Sequence, residues 1–113
     1  MERILVVDDD RGIQDVLDIM LSREGYQVTT ADDGAAALDI IRKKKFDLVI
    51  TDLKMPRMDG IDLLKGVKET APGTAVILLT AFASGETALA AMREGAYDYV
   101  EKNFNVDDLL SIV

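Results

Sequence analysis

The most informative stretch of the chain runs from Leu48 to Gly60 and reads LVITDLKMPRMDG. Its first three residues are an unbroken apolar run, which is typical of a short central strand buried on both faces. Asp52 follows at the end of this run, and Pro56 then opens a loop that closes at Gly60. We therefore expect Asp52 at the carboxyl end of a central strand, which is where open α/β sheets place their binding sites.

Composition limits the classes of protein to consider. The 113 residues fit one compact domain, and the formal charge of −8 argues against direct binding of nucleic acid or of an anionic membrane. Because cysteine and histidine are both absent, chemistry must depend on carboxylates, hydroxyls and lysine. No apolar run approaches the roughly 20 residues that a membrane span needs. We therefore predict a cytoplasmic protein.

Strand-like and helical patterns alternate along the chain. Strands are predicted at residues 4–7, 27–31, 48–50, 75–79 and 97–100, and helices begin at Asp10, after Gly34, near Gly60, at Gly85 and at Val106. This alternation predicts an α/β fold, a doubly wound, flavodoxin-like, five-stranded parallel sheet with helices on both faces. Two weakly apolar strands favour the order 2-1-3-4-5, with those strands at the edges. We expect one domain over residues 1–113, with its last helix truncated and an output domain following it.

Apolar spacing predicts which helix residues face the core. They are Ile13, Val16, Leu17, Met20 and Leu21 in helix one, Ala35, Leu38 and Ile41 in helix two, Ile61, Leu64 and Val67 in helix three, and Ala88, Ala91 and Met92 in helix four. The basic run Arg42 to Lys45 is most simply a solvated helix end, where the helix dipole favours cations.

The predicted strand order brings polar residues to one crevice. Strands one and three become neighbours, so Asp8 and Asp9 would lie beside Asp52, with Thr80 and Lys102 at the ends of strands four and five. Three carboxylates provide the oxygen ligands that Mg²⁺ prefers. Since a carboxylate is the only plausible nucleophile here, an aspartyl-phosphate at Asp52 is the leading hypothesis.

Each of these residues also has an ordinary structural explanation. The acids after strand one could end a strand and cap a helix, and for Asp10 we prefer that explanation. Thr80 is an ordinary strand residue by propensity, and Lys102 could be an ordinary surface lysine. The joint placement argues against coincidence, because acids, a hydroxyl and an amine each fall at the carboxyl end of a different strand.

At these residues the chain resembles the receiver domains of two-component response regulators, over essentially its whole length. The matching segments are Val6 to Asp9, Thr51 to Gly60, Leu79 to Ala81, and Gly95 to Tyr99 followed by Lys102. The loop and the segment Ala96 to Tyr99 are most similar to receivers of transcriptional activators that have an ATPase domain downstream.

The resemblance implies a site and a switch. Asp52 would accept phosphate from a histidine kinase or a phosphotransfer protein, and Mg²⁺ would be held by Asp8, Asp9, Asp52 and the backbone carbonyl of Lys54. Thr80 would move to bind the phosphoryl group, Lys102 would pair with it, and Tyr99 would turn inward. The surface formed by helix four, strand five and the last helix would then change partners, for example by forming a homodimer.

One position departs from the family pattern. Receivers usually have proline after this lysine, often in a cis bond, whereas here Asn103 follows Lys102. A cis bond before a residue other than proline costs about 2.5–4 kcal/mol. We therefore expect a trans bond at 102–103 and a different path for the loop that carries Lys102.

Two alternatives stay open at the level of sequence. The acids from Asp8 to Asp10 also resemble the DxD opening of aspartate-nucleophile phosphatases, but Arg11 stands where those enzymes usually have Thr or Val, and no insertion could cap a substrate. A receiver-like module that is never phosphorylated is the other alternative, and only Asn103 favours it. We expect a regulatory domain that catalyses only its own phosphorylation and dephosphorylation.

Overall fold

The computed structural model of the chain describes residues 3–52, 60–80, 92, 93, 95, 96 and 98–101, with the backbone alone for residues 80 and 98–101. From residue 3 to residue 80, strands and helices alternate as predicted, whereas the helices predicted from Gly85 and from Val106 lie mostly or wholly outside the described residues. The described elements are β1 (Arg3–Val7), α1 (Arg11–Arg23), β2 (Gln27–Ala31), α2 (Gly34–Lys43), β3 (Leu48–Asp52), α3 (Gly60–Thr70), β4 (Ala75–Thr80) and β5 (Asp98–Glu101). None of the described helices is long and apolar enough to cross a membrane.

The five strands form one parallel sheet in the order β2-β1-β3-β4-β5. Both the predicted α/β class and the predicted strand order are confirmed. β2 is an edge strand, which agrees with its weak apolar character, and β3 lies in the middle with all five of its residues buried. The central position of β3 places Asp52 in the middle of the carboxyl edge of the sheet.

Two apolar clusters cover the two faces of the sheet. The side chains of β1 alternate between them: Ile4 and Val6 pack in the cluster that contains α1, and Leu5 and Val7 pack in the cluster that contains α2 and α3. Burying one such side chain stabilises a fold by roughly 1.5–3 kcal/mol. Strands β1 and β3 are therefore held from both faces, and so are the positions where they end.

The helices α1 and α2 each begin after an aspartate whose side chain caps the helix. The side chain of Asp10 accepts a hydrogen bond of 2.8 Å from the amide of Gly12, so the preferred role of Asp10 as an N-cap is confirmed. Asp33 caps α2 in the same way, because its side chain accepts a hydrogen bond of 2.8 Å from the amide of Ala36. After α1 the chain turns at Gly25, whose φ of 93° is a conformation that favours glycine.

Several of the predicted inward positions are wrong. Val16 is 57% exposed and Met92 is 49% exposed, and Ala35 is also exposed. Ala37 and Leu63, which were not predicted, are fully buried. The physical reason is that each step along a helix turns by about 100°, so the direction in which a helix meets its neighbours decides which of two adjacent apolar residues is buried.

Candidate functional site

Strand register brings three carboxylates together at the carboxyl edge of the sheet. Val7 of β1 pairs with Thr51 of β3, and the next residues in the two strands' directions are Asp8 and Asp52. One carboxylate oxygen from each of Asp8, Asp9 and Asp52 lies within 4.8 Å of the other two. The three acids that the sequence assigned to one crevice are therefore neighbours in the structure.

The three acids differ in exposure. Asp8 is 1% exposed and Asp52 is 5% exposed, whereas Asp9 faces solvent. The Oδ1 atom of Asp8 accepts a hydrogen bond of 2.9 Å from the amide of Asp10, which helps to fix this carboxylate. Two buried carboxylates beside an exposed one form a concentration of negative charge that is open to solvent on one side, where a cation could enter.

The donor set fits Mg²⁺. This ion takes oxygen ligands at about 2.0–2.1 Å, so two of its ligands are at most about 4.2 Å apart, and it usually keeps several waters while binding one or two carboxylates. The 4.8 Å spread of the three carboxylates is close to that limit. Asp8, Asp9 and Asp52 are therefore candidate ligands of one hydrated ion.

Backbone register also brings Thr80 to this edge. Asp52 pairs with Leu79 of β4, and Thr80 is the next residue and the last of that strand. Thr80 in turn pairs with Glu101, the last residue of β5. The strand ends that were predicted to converge therefore do so in the backbone.

Other predicted site residues lie wholly or partly beyond what the structure describes. Tyr99 belongs to β5, where the description covers its backbone. Lys54, Lys102 and Asn103, together with the 102–103 peptide bond, lie outside the described residues. Their roles stay predictions.

A buried amide behind the acids was missed at the level of sequence. Gln14 in α1 is 6% exposed, and its Nε2 atom donates to the carbonyl oxygen of Asp8, to the carbonyl oxygen of Ala31 at 3.3 Å and to Oδ1 of Asp32 at 2.9 Å. One signal was available: Gln14 stands three residues before the buried Leu17, so the helical period places it on the buried face. A prediction based on apolar spacing passes over a polar residue in that position.

Arg11 also joins this network, but weakly. Its guanidinium nitrogen Nη2 lies 3.5 Å from Oδ2 of Asp32. The side chain of Arg11 is 81% exposed and that of Asp32 is 59% exposed. Exposed ion pairs of this kind contribute about 0–1 kcal/mol to stability. The buried amide of Gln14 is therefore the more important connection between the first acidic loop and the loop before α2.

A groove of about 690 Å³ opens at the opposite, amino-terminal edge of the sheet. The exposed run from Arg42 to Lys45 lines it, together with residues of the turn before β4. The full length of β3 separates this groove from Asp52. The basic run is thus an exposed helix end, as predicted, and does not contribute to the acidic site.

Comparison with known proteins identifies the family. Residues 4–113 match the model of the response regulator receiver domain. The transcriptional regulatory protein ZraR of Klebsiella oxytoca is 43% identical over 106 residues, which cover 94% of this chain and 24% of ZraR. The chain spans about a quarter of the length of the curated relatives it matches.

Solved structures agree with this match. The beryllofluoride-activated NtrC4 receiver domain dimer has a TM-score of 0.93 and 38% identity, with 99% of this chain and 93% of that chain covered. A response regulator from Burkholderia pseudomallei, solved with a phosphorylated aspartic acid, a calcium ion and citrate, also has a TM-score of 0.93, at 30% identity, with 99% and 66% covered. The chain therefore belongs to the receiver domain family of two-component response regulators, and it is most similar to receivers of transcriptional regulators.

Proposed function

We propose that this domain is a phosphoacceptor switch in which Asp52 receives a phosphoryl group from a histidine kinase or a phosphotransfer protein. The observation that carries the proposal is the cluster of Asp8, Asp9 and Asp52. Within it, Asp52 ends the central strand, so its main chain is held from both faces of the sheet. A nucleophile held in this way meets an incoming phosphoryl group in one fixed position.

Asp8, Asp9 and Asp52, with the backbone carbonyl of Lys54, are the proposed ligands of Mg²⁺. The bound ion would neutralise charge on the phosphoryl oxygens. The remaining chemistry belongs to the chain: a carboxylate oxygen of Asp52 forms the new bond to phosphorus while the bond from phosphorus to the donor's histidine nitrogen breaks, and the donor keeps that electron pair. The Burkholderia pseudomallei structure, which contains a phosphorylated aspartic acid and a calcium ion, supports this assignment by analogy.

Thr80 and Lys102 are the proposed contacts of the phosphoryl group. Thr80 would donate its hydroxyl and Lys102 would supply a positive charge, while Tyr99 would turn inward as Thr80 moves. The backbone register that puts Thr80 one residue beyond the partner of Asp52 supports this role. The rearrangement would alter the surface of the predicted helix four, β5 and the predicted last helix, and through that surface an output.

The proposed output belongs to another domain of the full-length protein. Since the chain spans about a quarter of its curated relatives, several of which are named as transcriptional regulatory proteins, we infer that residues 1–113 form one receiver domain followed by an output domain. The resemblance to receivers of transcriptional activators implies ATPase activity for that output domain. The NtrC4 receiver dimer supports a homodimer as the activated form. With a charge of −8, the domain itself is not expected to contact nucleic acid or a membrane, and we assign it to the cytoplasm.

Intact-mass measurement after incubation with Mg²⁺ and acetyl phosphate tests the proposal. We expect one phosphate per chain and none when EDTA replaces Mg²⁺. Continuous turnover of a generic phosphate ester, with no stable adduct, would instead indicate a phosphatase. If the chain binds Mg²⁺ but takes up no phosphate from any donor, it is an interaction module.

A further inference from the structure

The side-chain amide of Gln14 connects two loops at the acidic edge of the sheet. It lies in the first turns of α1 and is 6% exposed. The two N–H groups of its Nε2 atom are shared among three acceptors, which are the carbonyl oxygens of Asp8 and Ala31 and the carboxylate of Asp32, with the longest contact to Ala31 at 3.3 Å. Asp8 begins the loop after β1, whereas Ala31 and Asp32 end β2 and begin the loop before α2. One amide therefore joins the ends of two neighbouring strands.

The orientation of this amide follows from its surroundings. All three contacted atoms are oxygens that accept hydrogen bonds, and only the nitrogen of a glutamine side chain can donate to them. Turning the amide by 180° would place its oxygen against two carbonyls and a carboxylate. Because the group is buried, that oxygen would lose its contact with water and would face three other oxygens without a hydrogen bond, which costs free energy. The amide is therefore held in one orientation.

We propose that Gln14 is a positioning residue for the acidic cluster, and that it sets the Mg²⁺ affinity of this chain by fixing the peptide unit between Asp8 and Asp9. This inference rests on the proposed function of the cluster. The carbonyl oxygen of Asp8 belongs to that peptide unit, so a donor that fixes the carbonyl also fixes the plane from which the Asp9 side chain extends.

The contacts at Asp8 show how the effect would reach the metal ligands. The main chain of Asp8 is held on one side by its amide, which donates to Ala31 at 3.2 Å, and on the other by Gln14 at the carbonyl. Its side chain is oriented by the amide of Asp10. Groups that orient metal ligands without touching the metal typically change metal affinity by about 10–100-fold when removed.

A matched pair of variants tests the proposal. Gln14→Met keeps the length of the side chain and removes the donor, and Gln27→Met makes the same change at the chain's other glutamine, which is exposed at the amino end of β2. We expect Gln14→Met to raise the Mg²⁺ dissociation constant about 10-fold in a calorimetric titration, and Gln27→Met to leave it unchanged. A purely structural role would lower the stability of metal-free Gln14→Met while its dissociation constant stayed within about twofold of the parent; that result would overturn the proposal.

A second pair at Asp32 keeps the test decisive if Gln14→Met does not fold. The side chain of Asp32 is 59% exposed, so its replacement leaves the core intact. Asp32→Asn removes the charge but keeps an oxygen that can accept from Gln14, whereas Asp32→Ala removes both. We expect Asp32→Ala to weaken Mg²⁺ binding measurably more than Asp32→Asn, though by less than the roughly 10-fold expected when the Gln14 donor itself is removed. Equal dissociation constants for the two variants would count against the network.

A measurement on the metal-free protein adds a readout that does not depend on Mg²⁺. The side-chain NH₂ protons of Gln14 should exchange with solvent more slowly than those of Gln27, because the first group is buried and bonded and the second is exposed. Equal exchange would mean that Gln14 does not hold these contacts in solution.

Failure of this inference can be told apart from failure of the proposed function. If the parent binds Mg²⁺ and accepts phosphate at Asp52 while the Gln14 and Asp32 variants bind the ion equally well, only the role of Gln14 is wrong. If the parent neither binds Mg²⁺ nor accepts phosphate, the function of the cluster is wrong, and the role of Gln14 as a determinant of metal affinity falls with it.

Discussion

Val7 of β1 pairs with Thr51 of β3, and each of these buried residues is followed directly by an aspartate. The proximity of Asp8 and Asp52 is thus imposed by the register of two central strands, although their negative charges repel each other. Two carboxylates held this close form a negatively charged edge to which a cation would be attracted.

Bound Mg²⁺ should stabilise the domain. The ion would bind the folded cluster and not the unfolded chain, so the free energy of unfolding should rise with concentration, by about 2.7 kcal/mol at one hundred times the dissociation constant. Thermal melting in MgCl₂ and in NaCl of equal ionic strength measures this difference. Identical melting temperatures in the two salts would mean that the acids bind no Mg²⁺.

Removal of one acid should stabilise the metal-free domain. Asp9→Asn removes an exposed charge from the cluster, and two unit charges 4 Å apart in water interact by about 1 kcal/mol. We expect the metal-free melting temperature to rise by a few degrees and the response to Mg²⁺ to shrink. Glu24→Gln, which makes the same charge change at the carboxyl end of α1, is the control for the metal and should leave the response to Mg²⁺ unchanged. A lower metal-free melting temperature for Asp9→Asn would contradict the repulsion that we infer.

The adjacent Asp10 should behave as a structural residue. Its side chain caps α1 through the amide of Gly12, so Asp10→Ala should lower the free energy of unfolding by about 0.5–2 kcal/mol. Asp10→Ser removes the same charge but keeps a capping oxygen, and urea unfolding should show most of the stability restored. If serine and alanine are equally destabilising, the charge of Asp10 matters more than its capping bond.

The outline of the fold could be predicted because its signals are local. The apolar runs at β1 and β3 mark strands buried on both faces, and the weak run at β2 marks an edge. Asp10 could be recognised as a cap because capping joins residues only two or three positions apart. The meeting of Asp8 with Asp52 followed from strand order, since parallel strands end at the same edge.

The predictions of buried helix residues fail where packing between distant parts of the chain determines which side chain is buried. Val16 and Leu17 are both apolar, and only the direction in which α1 meets the sheet determines that Leu17 is buried while Val16 is 57% exposed. The role of Gln14 depends on acceptors 17 and 18 residues away, at Ala31 and Asp32. No local pattern contains that information.

Two alanine variants test which residues of α3 belong to the core. Leu63 is fully buried and was not predicted, whereas Ile61 was predicted and is only partly buried. Leu63→Ala should therefore cost about 2–5 kcal/mol, the usual range for a buried leucine, and Ile61→Ala should cost clearly less. Urea unfolding of both variants measures the difference. The reverse order would favour the apolar stripe read from the sequence.

Phosphorylation should change the assembly of the domain. We expect the phosphorylated chain to form a symmetric dimer or a new contact through residues 84–113, as the activated NtrC4 receiver dimer suggests by analogy. Light scattering and amide exchange on both forms test this, and Asp52→Asn under the same conditions should stay in the unphosphorylated state. Unchanged mass and unchanged protection over residues 84–113 would exclude a switch through this surface.

The most direct test of the central claim is the location of the phosphate. Asp52 ends β3, and Asp47 precedes the same strand at its other end, so Asp52→Asn and Asp47→Asn make the same substitution at the two edges of the sheet. Intact-mass measurement after incubation with Mg²⁺ and acetyl phosphate should show one phosphate on the parent and on Asp47→Asn, and none on Asp52→Asn. Equal labelling of Asp52→Asn would contradict the assignment of Asp52 as the phosphoacceptor.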